Sequence, residues 1–259
     1  MDYRTILVEE APPIRIVTLN RPERRNAMTQ DMRRELISAF EDIARSDCRV
    51  LILTGAGDSF CSGLDLSELE SMHAKTKGDY RHDAEQMAQL FMTLYELHVP
   101  TIAAVQGAAI AGGTGLAMIC DFTLATSSAK FGFTEVRVGF VPALVSAFLS
   151  LQAGDKVCRD LLLTGRFFGA DEAQRLGLVN EVVATNELMS RAKSLAETLL
   201  ANSPQSMRAT KQLLADQNRA RLQNEIALAL DANAEARTTS DFQEGVSAFL
   251  EKRKPAWKS

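Results

Sequence analysis

The chain has little of what catalytic centres built on histidine, cysteine or metal require. Its 259 residues hold three histidines, four cysteines and a single tryptophan. His73 and His82 fall in a polar stretch and His98 precedes an apolar run, so a histidine-centred nucleophile system is not suggested. Cys48, Cys61, Cys120 and Cys158 stand far apart, in no CxxC or CxxxH spacing, which argues against a zinc knuckle or a dithiol redox pair. No metal is expected. The phosphate-binding GxxxxGK[ST] loop and the GxSxG nucleophile elbow are also missing. Gly55-Ala56-Gly57 follows an apolar run, but the third glycine of a dinucleotide fingerprint would fall at Phe60. The charge is balanced, at 29 Lys and Arg against 33 Asp and Glu, with no basic block to gather phosphates, so nucleic acid is not an expected partner. The first residues, Met1-Asp2-Tyr3-Arg4-Thr5, carry an early acid and lead into a stretch broken by Glu9, Glu10, Pro12 and Pro13, unlike a secretory leader. A reduced, cytoplasmic setting is the expectation.

One long uncharged stretch is present. Val99–Cys120 has about the length of a bilayer span. Pro100, Gln106, Gly107, Gly112, Gly113 and Gly115 break it, and its second half is rich in alanine, so a buried strand, a turn and a buried helix are expected instead of a membrane helix.

The remaining pattern is that of an α/β protein large enough to bury a full core. Ile6–Val8 and Ile14–Leu19 read as two strands in a hairpin-like start. Thr29 is a candidate N-cap for a helix over residues 30–44, with Met32, Leu36, Ile37, Phe40 and Ile43 on one face. Val50–Thr54, Thr101–Val105 and Phe122–Ala125 are short continuous apolar runs, as expected of strands buried on both faces, with a helix predicted over 84–97. Beyond residue 187 only helical patterns follow: 187–201, one opened by Ser203 and Pro204, 219–237, and a last one from Phe242 capped by Asp241 with Glu244. The division expected is 1–186 for an α/β core and 187–259 for a helical region.

Two strand-to-glycine-to-helix junctions carry the chemical interest: Phe60-Cys61-Ser62-Gly63-Leu64-Asp65-Leu66, and the run from Gln106 to Gly115. Helix N-termini leave amides without intrahelical acceptors and carry the positive end of the dipole, so each junction can donate to an anionic oxygen. Two donors on one oxygen make an oxyanion hole. Packing of helix on strand explains the glycines equally well at this point.

Taken in order, the segments resemble the crotonase family of enoyl-CoA hydratases and isomerases over nearly the whole chain. They are Asn20-Arg21-Pro22 with Asn26-Ala27-Met28, Val50–Gly55, Phe60–Leu66, Pro100–Gly113, Cys120-Asp121, Ala129–Gly132 followed by Glu135, Leu163-Thr164-Gly165, Gly177-Leu178-Val179, and Glu244-Gly245 to Arg253. The resemblance implies a crotonase-like spiral of ββα units with an all-helical C-terminal region that makes homotrimers or homohexamers and part of the CoA site. It also implies Glu135 as the catalytic acid/base and an oxyanion hole from the amides of Leu64 and Gly112. The CoA thioester would lie along Arg24, Arg25 and Ala27, along Ser62, Gly63, Asp65 and Leu66, and against Ala108, Ile110, Thr134 and Pro142, with Lys252 reaching the CoA phosphates. Val138 and Phe148 join the expected acyl pocket. No cofactor is implied beyond the CoA that is part of the substrate.

The sequence departs from the family at one position. Family hydratases usually carry two glutamates, and the first falls here at Gly115. Hydration of a 2-enoyl-CoA is the leading expectation, with Glu68, Glu70 or an ordered water assisting. The alternatives are a Δ3,Δ2-enoyl-CoA isomerase, for which one carboxylate suffices, and a methylglutaconyl-CoA hydratase-like enzyme. A non-catalytic acyl-CoA binder is the remaining possibility.

Overall fold

The computed structural model describes residues 3–65, 68 and 76–257. Its centre is a six-stranded sheet in the order β1-β2-β3-β4-β6-β9, with β1 (Ile6–Ala11) antiparallel to β2 (Ile14–Leu19) and the other neighbours parallel. The remaining strands of this sheet are β3 (Val50–Gly55), β4 (Thr101–Val105), β6 (Phe122–Thr126) and β9 (Glu181–Val183). Glu9 and Glu10, expected to end the first strand, continue it, since as a sheet edge it leaves them exposed to water.

Both faces of this sheet are covered, which explains its continuous apolar runs. Alternation along β3 sends Leu51 and Leu53 into the larger core and Val50 and Ile52 into a second one. The larger core packs under α1 (Gln30–Arg45), capped by the Thr29 hydroxyl accepting from the Met32 amide, and under α2 (Lys77–Tyr95). The second core is closed by Leu188, Ala192 and Ala196.

A smaller three-stranded sheet, β5-β7-β8, sets the site. It consists of β5 (Ala108–Ile110), β7 (Lys130–Gly132) and β8 (Phe167–Gly169). In two successive ββα units, β4-β5-α3 and β6-β7-α4, the first strand lies in the large sheet and the second in the small one. Here α3 is Gly112–Ile119 and α4 is Ala143–Gln152. The strand β5 was not expected, because a three-residue strand between two glycine clusters has no periodicity of its own.

Further along come α5 (Asp155–Thr164), α6 (Ala170–Arg175), α7 (Leu188–Leu200), α8 (Pro204–Ala236) and α9 (Ser240–Leu250). The two helices expected over 204–237 are one, with Ser203 as cap, packed along α2 and α4. The cap of α9 is Thr239, not Asp241: its hydroxyl accepts from the Phe242 amide, and Glu244 pairs with Arg253 instead. No helix among the described residues is long and apolar enough to cross a membrane.

Candidate active site

The two glycine junctions lie side by side. Cys61 bridges Ala109 as a short parallel ladder, with the Cys61 amide donating to Ala108 O at 3.0 Å and the Ile110 amide to Cys61 O at 2.9 Å. Gly113 permits this approach, since a Cβ there would collide with the Cys61 carbonyl. A second bridge joins Met28 to Leu64. It is made by the Met28 amide to Gly63 O at 2.7 Å and by the Asp65 amide to Met28 O at 3.0 Å, so the Leu64 amide stands outside the ladder. Gly112 is the first residue of α3 and has no acceptor for its amide inside the helix. The chain enters α3 through Ala111 at φ 51°, ψ −121°, an uncommon conformation for a residue with a side chain.

Leu64 and Gly112 line a cavity of about 360 Å³ together with Glu135. Glu135 opens a 3-10 turn, Glu135–Val138, over which α9 passes so closely that Gly245 has no room for a Cβ against Val138. The residue is only 9% exposed, and its carboxyl Oε2 is buried with no hydrogen-bond partner. Burial raises its pKa to about 7, against a smaller opposing pull from its own backbone amide.

Arg25, Ser62, Ile110, Thr134 and Pro142, all expected in the site, line the same cavity, as does Val138. The segment 24–27 is fastened beside Ser62 by buried Asn26, whose amide donates to Ala56 O at 2.9 Å and Ser59 O at 2.7 Å. Arg24 and Arg25 stay exposed next to Ser62, whose amide donates to Arg25 O. Asp65 accepts from Arg21 at 2.7 Å, and the same guanidinium donates to Ala27 O at 2.6 Å, so Asp65 ties these loops together.

Other expected residues stand outside the cavity lining. Ala108 gives its carbonyl to the Cys61 ladder, and Lys252 is exposed beyond the end of α9. Phe148 is buried in the core behind Phe91 and Tyr95. Leu66, Glu70 and His73 lie outside the described residues. Glu68 accepts from the Gln30 amide at 2.5 Å and sits 3.4 Å from Arg33. His82 and His98 do not line the cavity, and no cluster among the described residues could hold a metal.

The wall at Gly115 is apolar. A Cβ there would stand 2.7 Å from Val145 Cγ1 and 3.0 Å from Phe91 Cζ, so these side chains occupy the space of the absent carboxylate. A model of the enoyl-CoA hydratase/isomerase family matches residues 9–259. The chain belongs to this family. A Thermus thermophilus relative is 43% identical over 244 residues, covering 93% of this chain and 96% of its own. The short-chain-enoyl-CoA hydratase of Clostridium acetobutylicum is 35% identical, over 98% of this chain and 97% of its own. Among solved structures, an enoyl-CoA hydratase/isomerase from Xanthobacter autotrophicus Py2 superposes with a TM-score of 0.89 at 30% identity, over all of both chains.

Sequence reasoning missed Arg33, Asn233 and Arg237, which also line the cavity of this family member. A signal existed for one of them: Arg33 lies three residues before Leu36 and seven before Phe40, on the apolar side of α1. Asn233 and Arg237 are one helical turn apart at the end of α8, a spacing that only the fold makes meaningful.

Proposed function

We propose that the protein hydrates a 2-enoyl-CoA thioester, with Glu135 as the single acid/base. The observation that carries this is a buried carboxyl with an unpartnered oxygen, in one cavity with two backbone amides outside their own ladders.

The thioester oxygen is held by the Leu64 and Gly112 amides, which stabilise the charge that develops on it. Exposed Arg24 and Arg25 face the CoA phosphates at the mouth, and Ser62 lies alongside. Water forms its bond to the β carbon while the π electrons of the double bond move toward the thioester oxygen. Its proton goes to Glu135 and is returned to the α carbon as the enolate collapses. Atoms balance with one carboxyl, because the proton taken from water is the one delivered. A pKa near 7 leaves both forms of Glu135 accessible at neutrality. A closed homotrimer or homohexamer belongs to the same proposal, supported by exposed Leu213, Leu214 and Leu228 on α8. Free thiols at all four cysteines support a cytoplasmic setting.

The apolar wall of Phe91 and Val145 favours a second reading. With no carboxylate there to orient water, proton transfer between two carbons of a 3-enoyl-CoA needs only Glu135. Incubation with crotonyl-CoA in ¹⁸O-labelled water separates the two. Hydration predicts 3-hydroxybutyryl-CoA labelled at the β oxygen, and an unlabelled, unchanged crotonyl-CoA would refute it.

A further inference from the structure

The cavity has two ends of opposite chemistry, and α2 supplies the scale between them. Met87 stands beside the proposed oxyanion hole, with its Cε 3.9 Å from a Cβ built on Gly112. Phe91, one turn onward, closes the apolar end against Gly115 and Val145. Asp83 lies one turn the other way, about 6 Å along the axis at 1.5 Å per residue. There two arginines converge on it. Arg33 Nη2 donates to one Asp83 oxygen at 2.6 Å and Arg237 Nη1 to the other at 2.7 Å. The side chains of Arg33, Arg237 and Asp83 are 1%, 2% and 8% exposed.

Arg33, Asn233 and Arg237 all face the cavity, yet Arg33 Nε and Asn233 Oδ1 are buried without a hydrogen-bond partner. A tie that served packing alone would leave neither atom unmatched, because buried polar groups without partners are costly. Two deeply buried guanidiniums share one deeply buried carboxylate. Glu68, 3.4 Å from Arg33, is more open, and its other oxygen accepts from the Gln30 amide. The unmatched Arg33 N–H, set in the cavity wall, calls for an acceptor.

We infer that this end of the cavity binds a carboxylate at the far end of a short acyl chain. The inference rests on the thioester being held at Leu64 and Gly112. Arg33 Nε donates to the distal carboxylate, Arg237 adds its charge, and the Asn233 amide, turned end for end, presents its NH₂. A chain of about five carbons covers the distance set by one turn of α2.

The test uses full-length protein and two saturated thioesters that differ only at the tip: pentanoyl-CoA and the mono-CoA thioester of pentanedioic acid. Calorimetric binding of the diacid thioester is expected to be at least tenfold tighter. Arg33→Met should bring that ratio to near one, and Asn233→Leu, which leaves the ion cluster whole, should lower it at least threefold. Equal or weaker binding of the diacid thioester by the unmodified protein overturns the inference, as does a ratio untouched in both variants. Turnover of crotonyl-CoA is measured in parallel. Turnover without a binding preference removes the carboxylate pocket and keeps hydration; preference without turnover of crotonyl-CoA or of the mono-CoA thioester of pent-2-enedioic acid removes hydration and keeps the pocket.

Discussion

Glu135 owes its properties to position more than to neighbours. Burial disfavours its charged form and lifts its pKa from 4.5 to about 7, so the folded protein binds a proton there that the unfolded chain releases between those values. Stability from this residue is therefore fully present below pH 4.5, falls as the pH rises toward 7, and stays low above it. Glu135→Gln should remove that dependence, leaving the variant up to about 3 kcal/mol more stable than the parent at pH 8 and no more stable at pH 4. Urea unfolding at both pH values checks this. In catalysis the same substitution should lower kcat by roughly 10²–10⁴-fold, with KM for the thioester changed little, since the amides proposed to hold it are untouched. The family resemblance, rather than residue type or spacing, pointed to Glu135, Leu64 and Gly112, which line one cavity. Arg33 was not legible in the same way, because a lone arginine among apolar helix positions acquires meaning only when Asp83, 50 residues on, and Arg237, a further 154 residues on, are brought to it.

At the scale of elements, three helices meet around the position where family hydratases place their first glutamate. Gly115 lets α3 sit against Phe91 of α2 and Val145 of α4, and that packing has consumed the room for a second carboxylate. Gly115→Glu is accordingly expected to strain the contact and cost about 1–3 kcal/mol, read as a lower Tm, without raising hydration. Pairing it with Phe91→Ala should recover part of any activity a second glutamate can supply. Elements with a strong period were legible: α1 with its cap, and β3, β4 and β6 as strands buried on both faces. Elements defined by their surroundings were not. β5 exists because Cys61 and Gly132 offer it ladders on either side, and α8 runs unbroken because α2 and α4 support it past residue 219, where sequence alone suggested a restart.

Across the whole molecule, the Arg33–Asp83–Arg237 cluster joins α1, α2 and the end of α8, while α9 continues over the Glu135 turn, so the helices after residue 187 roof the cavity of their own chain. Burial pushes the Asp83 carboxyl up, but the two guanidiniums more than offset this and hold it below its ordinary 3.8. Its contribution is present above that value and fades as the pH falls through the lower folded one. Asp83→Ala, which strands two buried cations, should cost about 3–5 kcal/mol at neutral pH by urea unfolding. Family membership and the shared fold extend over nearly the whole chain; the proposed reaction has Glu135 acting alone. The most direct measurement follows the conjugated thioester absorbance of the protein with crotonyl-CoA and, separately, with a 3-enoyl-CoA. The account predicts loss of absorbance from crotonyl-CoA that Glu135→Gln abolishes. Appearance of absorbance from the 3-enoyl-CoA, with crotonyl-CoA left intact, would contradict it.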